Sequence, residues 1–443
     1  MPQRKLTYVD LFAGIGGFAA AFEALGLDNA LAVEFDSDAA DVYKDNWGHS
    51  SFGDVTKVAP ESGANINHHT VLSAGFPCQP FSKSGAQLGV LDKSRGTLFR
   101  NVLSAIESGK PKVVILENVR NLAGPKHSGD LEIILESLRA LGYRVSSKNT
   151  FVSPHKIHPD FGGRPQSRER LFIAATLVPA GYSGSMDVDP LDIYGDVPLK
   201  WEAQSWNPKL AINATKKKSD LSIQDLDVLE AWQDFVEIFT SQDKPVPNLA
   251  IWTEFWGTSP NLDQFPSWKA NLVRRNLDLY EANKTKFDAW AAKHKIFESP
   301  SFNPSKRKFE WQAQDMPSIY EGIVHFRPSG VRVKKFDYFP ALVAITHIPI
   351  LGPYKRRMDL DEARRLQGLP EWFSFGDKPP KVAFKQLGNG VNVGAVWRVL
   401  KSLAARDEDL LQMTAEGRQL LGLINAAPDS PDGVLASLRP SGR

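Results

Sequence analysis

The chain of 443 residues has one cysteine, and its setting is informative. Cys78 stands in GFPCQPFS, between Pro77 and Pro80, where the hydrophobic run TVLSAGF (70–76) ends. A thiol that only filled a core would sit inside such a run. One held between two backbone-stiffening prolines at its edge is expected at an exposed turn. Two other groups of reactive side chains occupy comparable places. The run KVVILEN (112–118) ends in Glu117 and Asn118, and RPQSRERLFIAA sets Gln166, Arg168 and Arg170 before another run, with both arginines on one side of an extended chain. Each has an ordinary reading by itself: a carboxylate capping the next segment, arginines solvating a surface. Jointly, a thiol, a carboxyl and a guanidinium can activate a pyrimidine. A thiolate adds to carbon 6 of cytosine only if electron density is drawn towards N3 and O2, which requires an acid at N3 and a donor at O2. Carbon 5 then becomes nucleophilic and can take a methyl group, after which loss of its proton and expulsion of the cysteine restore the ring.

Groups at the ends of apolar runs need a framework to bring them together. Over the first 180 residues short apolar runs alternate with helical patterns, which predicts βαβ units, a parallel sheet and a doubly wound α/β domain. TYVDLF (7–12), ALAVEF (30–35), TVLSAGF, KVVILEN and RLFIAATL (170–177) read as strands. GFAAAFEALG (17–26) and DLEIILESLRALG (130–142) read as helices. Such sheets bind ligands beyond the carboxyl ends of their strands, where Cys78 and Glu117 fall. Near the other end of the chain, QLGNGVNVGAVWRVLKSLA (386–404) turns at two glycines and enters a further helix.

The segment DLFAGIGGFAAAFEALG places Gly14, Gly16 and Gly17 between a strand and a helix, so backbone can approach a ligand at the helix N-terminus. Gly14-x-Gly16-x-x-Ala19 satisfies a dinucleotide fingerprint, and Glu34 at the end of the second strand is the matching acceptor for a ribose diol. An NAD or FAD enzyme is therefore open at this point beside an enzyme using S-adenosylmethionine (AdoMet), which also carries adenine and a ribose diol. Asp54, in FGDVT, is placed to accept from an adenine amino group, although Gly-Asp is equally an ordinary turn pair.

Composition sets outer limits. With 42% hydrophobic and 23% charged residues the chain is expected to be soluble and to hold two or three domains. One cysteine excludes an intramolecular disulfide framework and a zinc site of several thiolates, and suits a reducing compartment. The N-terminus lacks a signal-type apolar core, and no run of about 18 apolar residues occurs, so neither export nor membrane insertion is expected. Net charge is only +2, yet residues 300–358 hold ten cations against four acids, a basic stretch suited to phosphates. The pattern changes near 180, in GYSGSMDVDPLDIYGDVP. Eight of the eleven tryptophans follow between 201 and 311, where they are expected to build the core of a second domain. The last 40 or so residues, with PDSPDG among them, read as a loosely held tail.

In order along the chain stand DLFAGIGGF, the acid of VEFD, GDV, GFPCQPFS, RGTLF, ENV, QSRER, RRLQGLP and QLGNGV. With these motifs the chain resembles the DNA (cytosine-5) methyltransferases of bacterial restriction-modification systems, over about residues 5–178 and 330–400. The resemblance implies a doubly wound, Rossmann-like AdoMet-dependent methyltransferase domain with an inserted target recognition domain. Residues 1–180 and 380–405 would form the catalytic domain, 181–379 the target recognition domain with its Trp-rich helical portion at 201–311, and 406–443 a C-terminal tail. It implies Cys78 as nucleophile, Glu117 at N3 and the amino group, and Arg170 as donor to O2, with Arg168 and Asn118 in support. AdoMet, leaving as S-adenosylhomocysteine, would be held by Phe12, Gly14, Gly16, Glu34, Phe35, Asp54, Val55, Pro77, Leu98 and Asn389, with no metal. Gln79 and Ser82 would belong to a mobile loop (79–95) closing over DNA. The target base would be flipped from the duplex, since a stacked cytosine exposes neither face. Phosphate or base contacts are expected from Arg327, Arg332, Lys334 and Lys335. The implied partner is double-stranded DNA, with a restriction endonuclease reading the same site, and the implied setting is a monomer in the bacterial cytoplasm. A non-catalytic DNA-binding module and an RNA cytosine-5 methyltransferase are the alternatives. The tRNA-methylating branch typically carries a Cys-Phe-Thr segment that a chain with one cysteine in GFPCQPFS cannot supply.

Overall fold

The computed structural model describes residues 5–77, 97–195, 212, 220–342 and 348–438. The first lobe runs through β1 (Thr7–Leu11), α1 (Gly17–Ala24), β2 (Asp28–Val33), α2 (Ser37–Trp47), α3 (Val55–Val58), β3 (Val71–Ala74), α4 (Thr97–Gly109), β4 (Val113–Val119), α5 (Ser128–Ala140), β5 (Tyr143–Val145), β6 (Thr150–Val152), β7 (Gln166–Ser167) and β8 (Arg170–Leu177). Seven of its strands form one sheet in the order β2-β1-β3-β4-β8-β5, with β6 also on β8. Alternation along β1 separates two cores. Tyr8 turns to the layer of α1 and α2, while Val9 and Leu11 turn to the layer of α4 and α5.

The strands β1 to β4 are parallel, as expected, but β8 runs antiparallel to β4, β5 and β6. The chain reaches β8 from β6 through residues 153–169, without the crossover helix that a parallel neighbour would need. This reversal has a consequence for chemistry. The carboxyl end of β4 lies beside the start of β8, with Val119 opposite Arg170 and Glu117 opposite Phe172.

The second lobe contains α6 (Ile223–Thr240), β9 (Ala250–Trp252), α7 (Ser267–His294), β10 (Lys308–Gln312), β11 (Ile323–Arg327), β12 (Gly330–Lys334), β13 (Phe339–Pro340), β14 (Ile350–Leu351) and β15 (Arg356–Arg357). Six strands pair in the order β15-β14-β11-β12-β10-β9. Helix α6 starts at a capping box in which Ser222 and Asp225 satisfy each other's backbone N–H groups. Its Trp232 lies flat on Phe309 of β10 (ring centroids 4.5 Å apart), and Trp256 lies on Phe287 of α7 (4.7 Å). Trp232, Trp256, Trp290 and Trp311 are buried in one cluster, the core role expected of them, whereas Trp268 is exposed. Trp201 and Trp206 lie outside the described residues. The strand β13 pairs with β7, which ties the second lobe to the segment carrying Arg168 and Arg170.

The chain then returns to the first lobe in α8 (Leu360–Leu366), α9 (Pro380–Asn389), α10 (Val393–Arg406), α11 (Glu408–Gln412), α12 (Ala415–Ala426) and α13 (Asp432–Ser437). Met358, Ala363, Leu366, Phe373 and Phe375 join the core of α1 and α10, so the stretch just before 379 packs with the first lobe. The loosely held tail is a misreading. Leu410, Leu411, Leu420, Leu421, Ile424 and Leu435 are buried at helical spacing, and PDSPDG is only the turn between α12 and α13. Ion pairs fix these helices as well: Arg144 to Asp407 (2.9 Å) and Asp409 (2.5 Å), and Arg164 to Asp432 (2.5 Å).

Candidate active site

A cleft of about 440 Å³ opens beyond the carboxyl ends of β1, β3 and β4. An apolar recess of about 330 Å³ adjoins it, and Phe12 and Pro77 line both. The backbone after β1 turns with Phe12, Gly14 and Gly16 at positive φ. Gly14 N–H donates to Glu34 Oε2 and Asp36 N–H to Oε1, both at 2.8 Å, so two peptides fix the Glu34 carboxylate against the cleft. Burial nevertheless raises the Glu34 pKa.

The two glycines of the turn differ. A Cβ on Gly14 would meet nothing within 4 Å, so its peptide faces open space in the cleft. A Cβ on Gly16 would come within 2.1 Å of the Trp47 indole, whose Nε1 donates to Ile15 O at 3.0 Å. Gly16 does not line the cleft; it gives Trp47 of α2 its place under the turn. The other residues expected at AdoMet gather as follows. Phe35, 76% exposed, borders the apolar recess with Val55, Leu98 and Asp54. Asp54 caps α3, accepting from Thr56 N at 2.9 Å and Thr56 Oγ1 at 2.7 Å, and these bonds hold its carboxyl below the usual carboxylate range. Asn389 lines the larger cleft from α9.

The same cleft holds Glu117 and Arg170. Arg170 Nε lies 3.0 Å from Glu117 Oε1, and Nη1 donates to Glu169 O at 3.0 Å, while Nη2 has no partner among the described residues. Burial raises the Glu117 pKa, opposed by the positive charges of Arg170 and Arg168. A carboxyl biased towards its protonated form next to a guanidinium with donors to spare can act as acid and hydrogen-bond donor together.

Asn118 and Arg168 face the same cleft but are committed to the protein. Asn118 Nδ2 donates to Phe76 O and its Oδ1 accepts from Val119 N, both at 2.9 Å, which joins the end of β4 to the chain just before Pro77. Arg168 is 2% exposed and spends its fork on three carbonyls: Leu342 O (2.9 Å), Gly388 O (2.9 Å) and Gly390 O (2.6 Å). Cys78, Gln79 and Ser82 lie outside the described residues; Pro77, to which Cys78 is bonded, lines the cleft.

The four cations expected at DNA stand elsewhere, on the second lobe, and each has an acidic partner. Arg327 and Arg332 share Glu310 Oε2 (2.5 and 3.0 Å), Lys334 meets Asp337 (2.5 Å), and Lys335 meets Asp315 (2.8 Å). The cleft also contains residues that the motifs did not single out: Asp36, Lys385 and Gln386. Asp36 closes the VEFD motif and Gln386 opens QLGNGV, while Lys385 shows itself only as part of a stripe. Val382, Lys385, Gln386 and Asn389 recur at i, i+3, i+4 and i+7, one face of a helix. Beneath the glycine turn Asp10 was also missed. It is fully buried in β1, accepts from Ser73 Oγ at 2.7 Å, and is pushed up to about 7 by burial.

Comparison with known proteins identifies the family. Residues 6–405 match the family of C-5 cytosine-specific DNA methylases. The type II methyltransferase M.AluI of Cellulosimicrobium cellulans is 37% identical over an alignment of 517 positions covering 98% of each chain. The type II methyltransferase M.HaeII of Haemophilus aegyptius is 42% identical over 171 residues, 38% of this chain and 50% of that one. Among solved structures, a putative DNA modification methyltransferase encoded within an E. coli prophage shares 21% identity at a TM-score of 0.46, covering 92% of this chain and all of that one (100%). The nicotinamide and flavin readings of the glycine turn therefore fall away: the chain belongs to the C-5 cytosine-specific DNA methylase family and is a DNA cytosine methyltransferase.

Proposed function

We propose that the protein methylates carbon 5 of a cytosine flipped out of a specific double-stranded DNA sequence, through a covalent adduct between Cys78 and carbon 6. The residues of the cleft fit AdoMet. The exposed Phe35 ring and the Asp54 carboxylate suit an adenine, and Glu34, held by two peptide N–H groups with lone pairs left over, suits a ribose diol. When bound, AdoMet supplies an electrophilic methyl group on a sulfonium.

The chain's own side chains prepare the base. Arg170 Nη2 donates to O2 and Glu117 gives its proton to N3, which draws density from the ring. The Cys78 thiolate forms the bond to carbon 6, and the displaced π pair leaves carbon 5 as an enamine nucleophile. After carbon 5 has taken the methyl group it loses its proton to solvent, the double bond to carbon 6 returns as the sulfur leaves as thiolate, and N3 gives its proton back to Glu117. Asn118 and Arg168 hold the strand ends that carry Glu117 and Arg170 in register. The second lobe reads the sequence, with Arg327, Arg332, Lys334 and Lys335 exchanging acidic partners for phosphates or base edges, and Gln79 and Ser82 contact the flipped nucleotide. The resulting mark protects the site from an endonuclease that reads the same sequence.

The observation that carries this reading is the Glu117–Arg170 pair, in a cleft lined by the residue bonded to the only cysteine. Sequencing methylated cytosines in a host expressing the protein tests it. Methylation at one recurrent sequence is expected from the wild type and none from Cys78→Ser; methylation that survives in the variant overturns the mechanism.

A further inference from the structure

The sheet of the second lobe has one apolar face and one charged face. Phe309, Trp311, Val324, Val331 and Val333 turn to the aromatic core, so alternation sends the intervening residues of β10, β11 and β12 to the other side. On these three strands Lys308, Arg327, Arg332 and Lys334 stand against a single acid, Glu310. The charged face begins beside the catalytic lobe. Lys334 Nζ lies 3.4 Å from the centroid of the Tyr338 ring, Tyr338 packs on His155 at 4.6 Å, and His155 Nδ1 meets Ser153 Oγ (2.8 Å), which accepts from Arg168 N. A duplex that delivers a base to the cleft has this face next to it.

Glu310 gathers two guanidinium groups from different strands. Its Oε2 accepts from Arg327 Nη2 (2.5 Å) and from Arg332 Nε (3.1 Å) and Nη2 (3.0 Å), and its Oε1 from Arg332 Nη2 (3.1 Å) and Gln312 Nε2. Arg332 is its partner in register on β12. Arg327 comes from β11, one strand further, where it stands opposite Gly330; β12 carries no side chain there, and the arginine reaches across it. Nη1 of each arginine makes no hydrogen bond among the described residues.

We propose that Glu310 is a positioning residue that determines sequence specificity: it holds the forks of Arg327 and Arg332 side by side for guanine in the major groove. The proposal rests on the reading of the second lobe as the part that contacts DNA. Within that reading it assigns these two arginines to base edges, reached with Glu310 still in place, and leaves phosphates to Lys334 and Lys335. An arginine on a free stem binds any phosphate and adds affinity without sequence information. One held by a carboxylate, with donors left over, matches the O6 and N7 acceptors of guanine, while the carboxylate repels phosphate.

Glu310→Gln, which keeps the shape and removes the charge, tests this. Anisotropy titrations compare a duplex carrying the sequence found at the methylated cytosines with an unrelated duplex. Discrimination between them should fall about 10- to 100-fold, chiefly because the unrelated duplex binds more tightly, and its slope of log K against log salt should steepen by about one to two. Replacing guanines of the site one at a time by 7-deazaguanine, which lacks N7, should weaken wild-type binding at one position or more and affect Glu310→Gln less. Arg332→Lys, which keeps the charge but not the fork, should lose discrimination through weaker binding of the specific duplex. Unchanged discrimination and salt slope in folded Glu310→Gln, equal weakening of both duplexes in the two variants, or a wild type indifferent to every 7-deazaguanine overturns the role of Glu310. A wild type that methylates no recurrent sequence overturns the underlying reading instead.

Discussion

Two Glu–Arg pairs in this protein are built for different ends. Arg356 and Glu362 are almost wholly buried and bonded at both oxygens, Nη2 to Oε1 at 2.7 Å and Nη1 to Oε2 at 3.0 Å; Oε2 also accepts from Asp359 N. That pair is saturated, and it fixes the chain where it leaves β15 for α8. Glu117 and Arg170 meet at Nε, 3.0 Å from Oε1, in a cleft, with Nη2 making no hydrogen bond among the described residues and the Glu117 pKa raised by burial. A pair meant to hold structure uses its hydrogen bonds within the protein. A pair meant to act on a base keeps some in reserve.

Exchanging the roles of the two pairs is the strongest way to break this comparison. Glu117→Gln should lower kcat/KM by about 10²- to 10⁴-fold, the contribution of a positioned proton donor, while the melting temperature changes little. Wild-type kcat/KM should decline at high pH as Glu117 loses its proton, on a limb displaced upward from the ordinary carboxylate range, and Glu117→Gln should lose that limb. Glu362→Ala should do the reverse, costing about 3–5 kcal/mol of stability because it strands a buried guanidinium. Denaturant titration beside steady-state kinetics separates these outcomes. A destabilised Glu117→Gln with normal turnover would remove the distinction.

Asp10 offers a buried carboxyl with no catalytic duty. Its folded pKa of about 7 exceeds the unfolded value, so the folded state binds the extra proton between the two. Stability should therefore be greatest below the unfolded pKa and fall as pH rises to about 7, by at most about 4 kcal/mol. Asp10→Asn should flatten that dependence in urea titrations at a series of pH values; an unchanged slope would mean that another group carries it.

The smallest expected effect separates the two glycines. Both glycines stand at positive φ, so Ala at either carries a backbone cost of about 1 kcal/mol; Gly16→Ala also meets Trp47 and should cost about 1–3 kcal/mol more by overpacking, whereas Gly14→Ala, facing open cleft, should add only a loss of cofactor affinity. Thermal melts with and without S-adenosylhomocysteine distinguish them, and equal destabilisation of the two would contradict the assignment.

Much of the fold was legible because strands and helices announce themselves locally. RLFIAATL is β8 from Arg170 to Leu177, and the apolar runs before 120 are β1 to β4 within a residue or two. What periodicity does not encode is direction, so the antiparallel setting of β8 had to come from the chain's route between β6 and β8. The C-terminal helices were hidden by PDSPDG, since one turn signal outweighed a regular leucine spacing. At the site, the glycine pattern could not tell Gly14 from Gly16, because the difference is Trp47, distant in sequence and brought close by α2. By alternation alone Arg168 and Arg170 likewise read as equals, and it was the family resemblance that set Arg170 as the donor. Only the carbonyls of Leu342, Gly388 and Gly390 show that one of them is already engaged.

The central claim is that Glu117 and Arg170 prepare a cytosine for attack by Cys78. Incubation with AdoMet and duplex DNA carrying 5-fluorocytosine at the target position tests it most directly, because fluorine at carbon 5 cannot leave as a proton and the adduct is trapped. Peptide mass spectrometry is predicted to find the methylated fluoropyrimidine attached to Cys78, with the yield sharply reduced in Glu117→Gln and Arg170→Ala. An adduct on another residue, or complete methyl transfer with no adduct, would contradict the account.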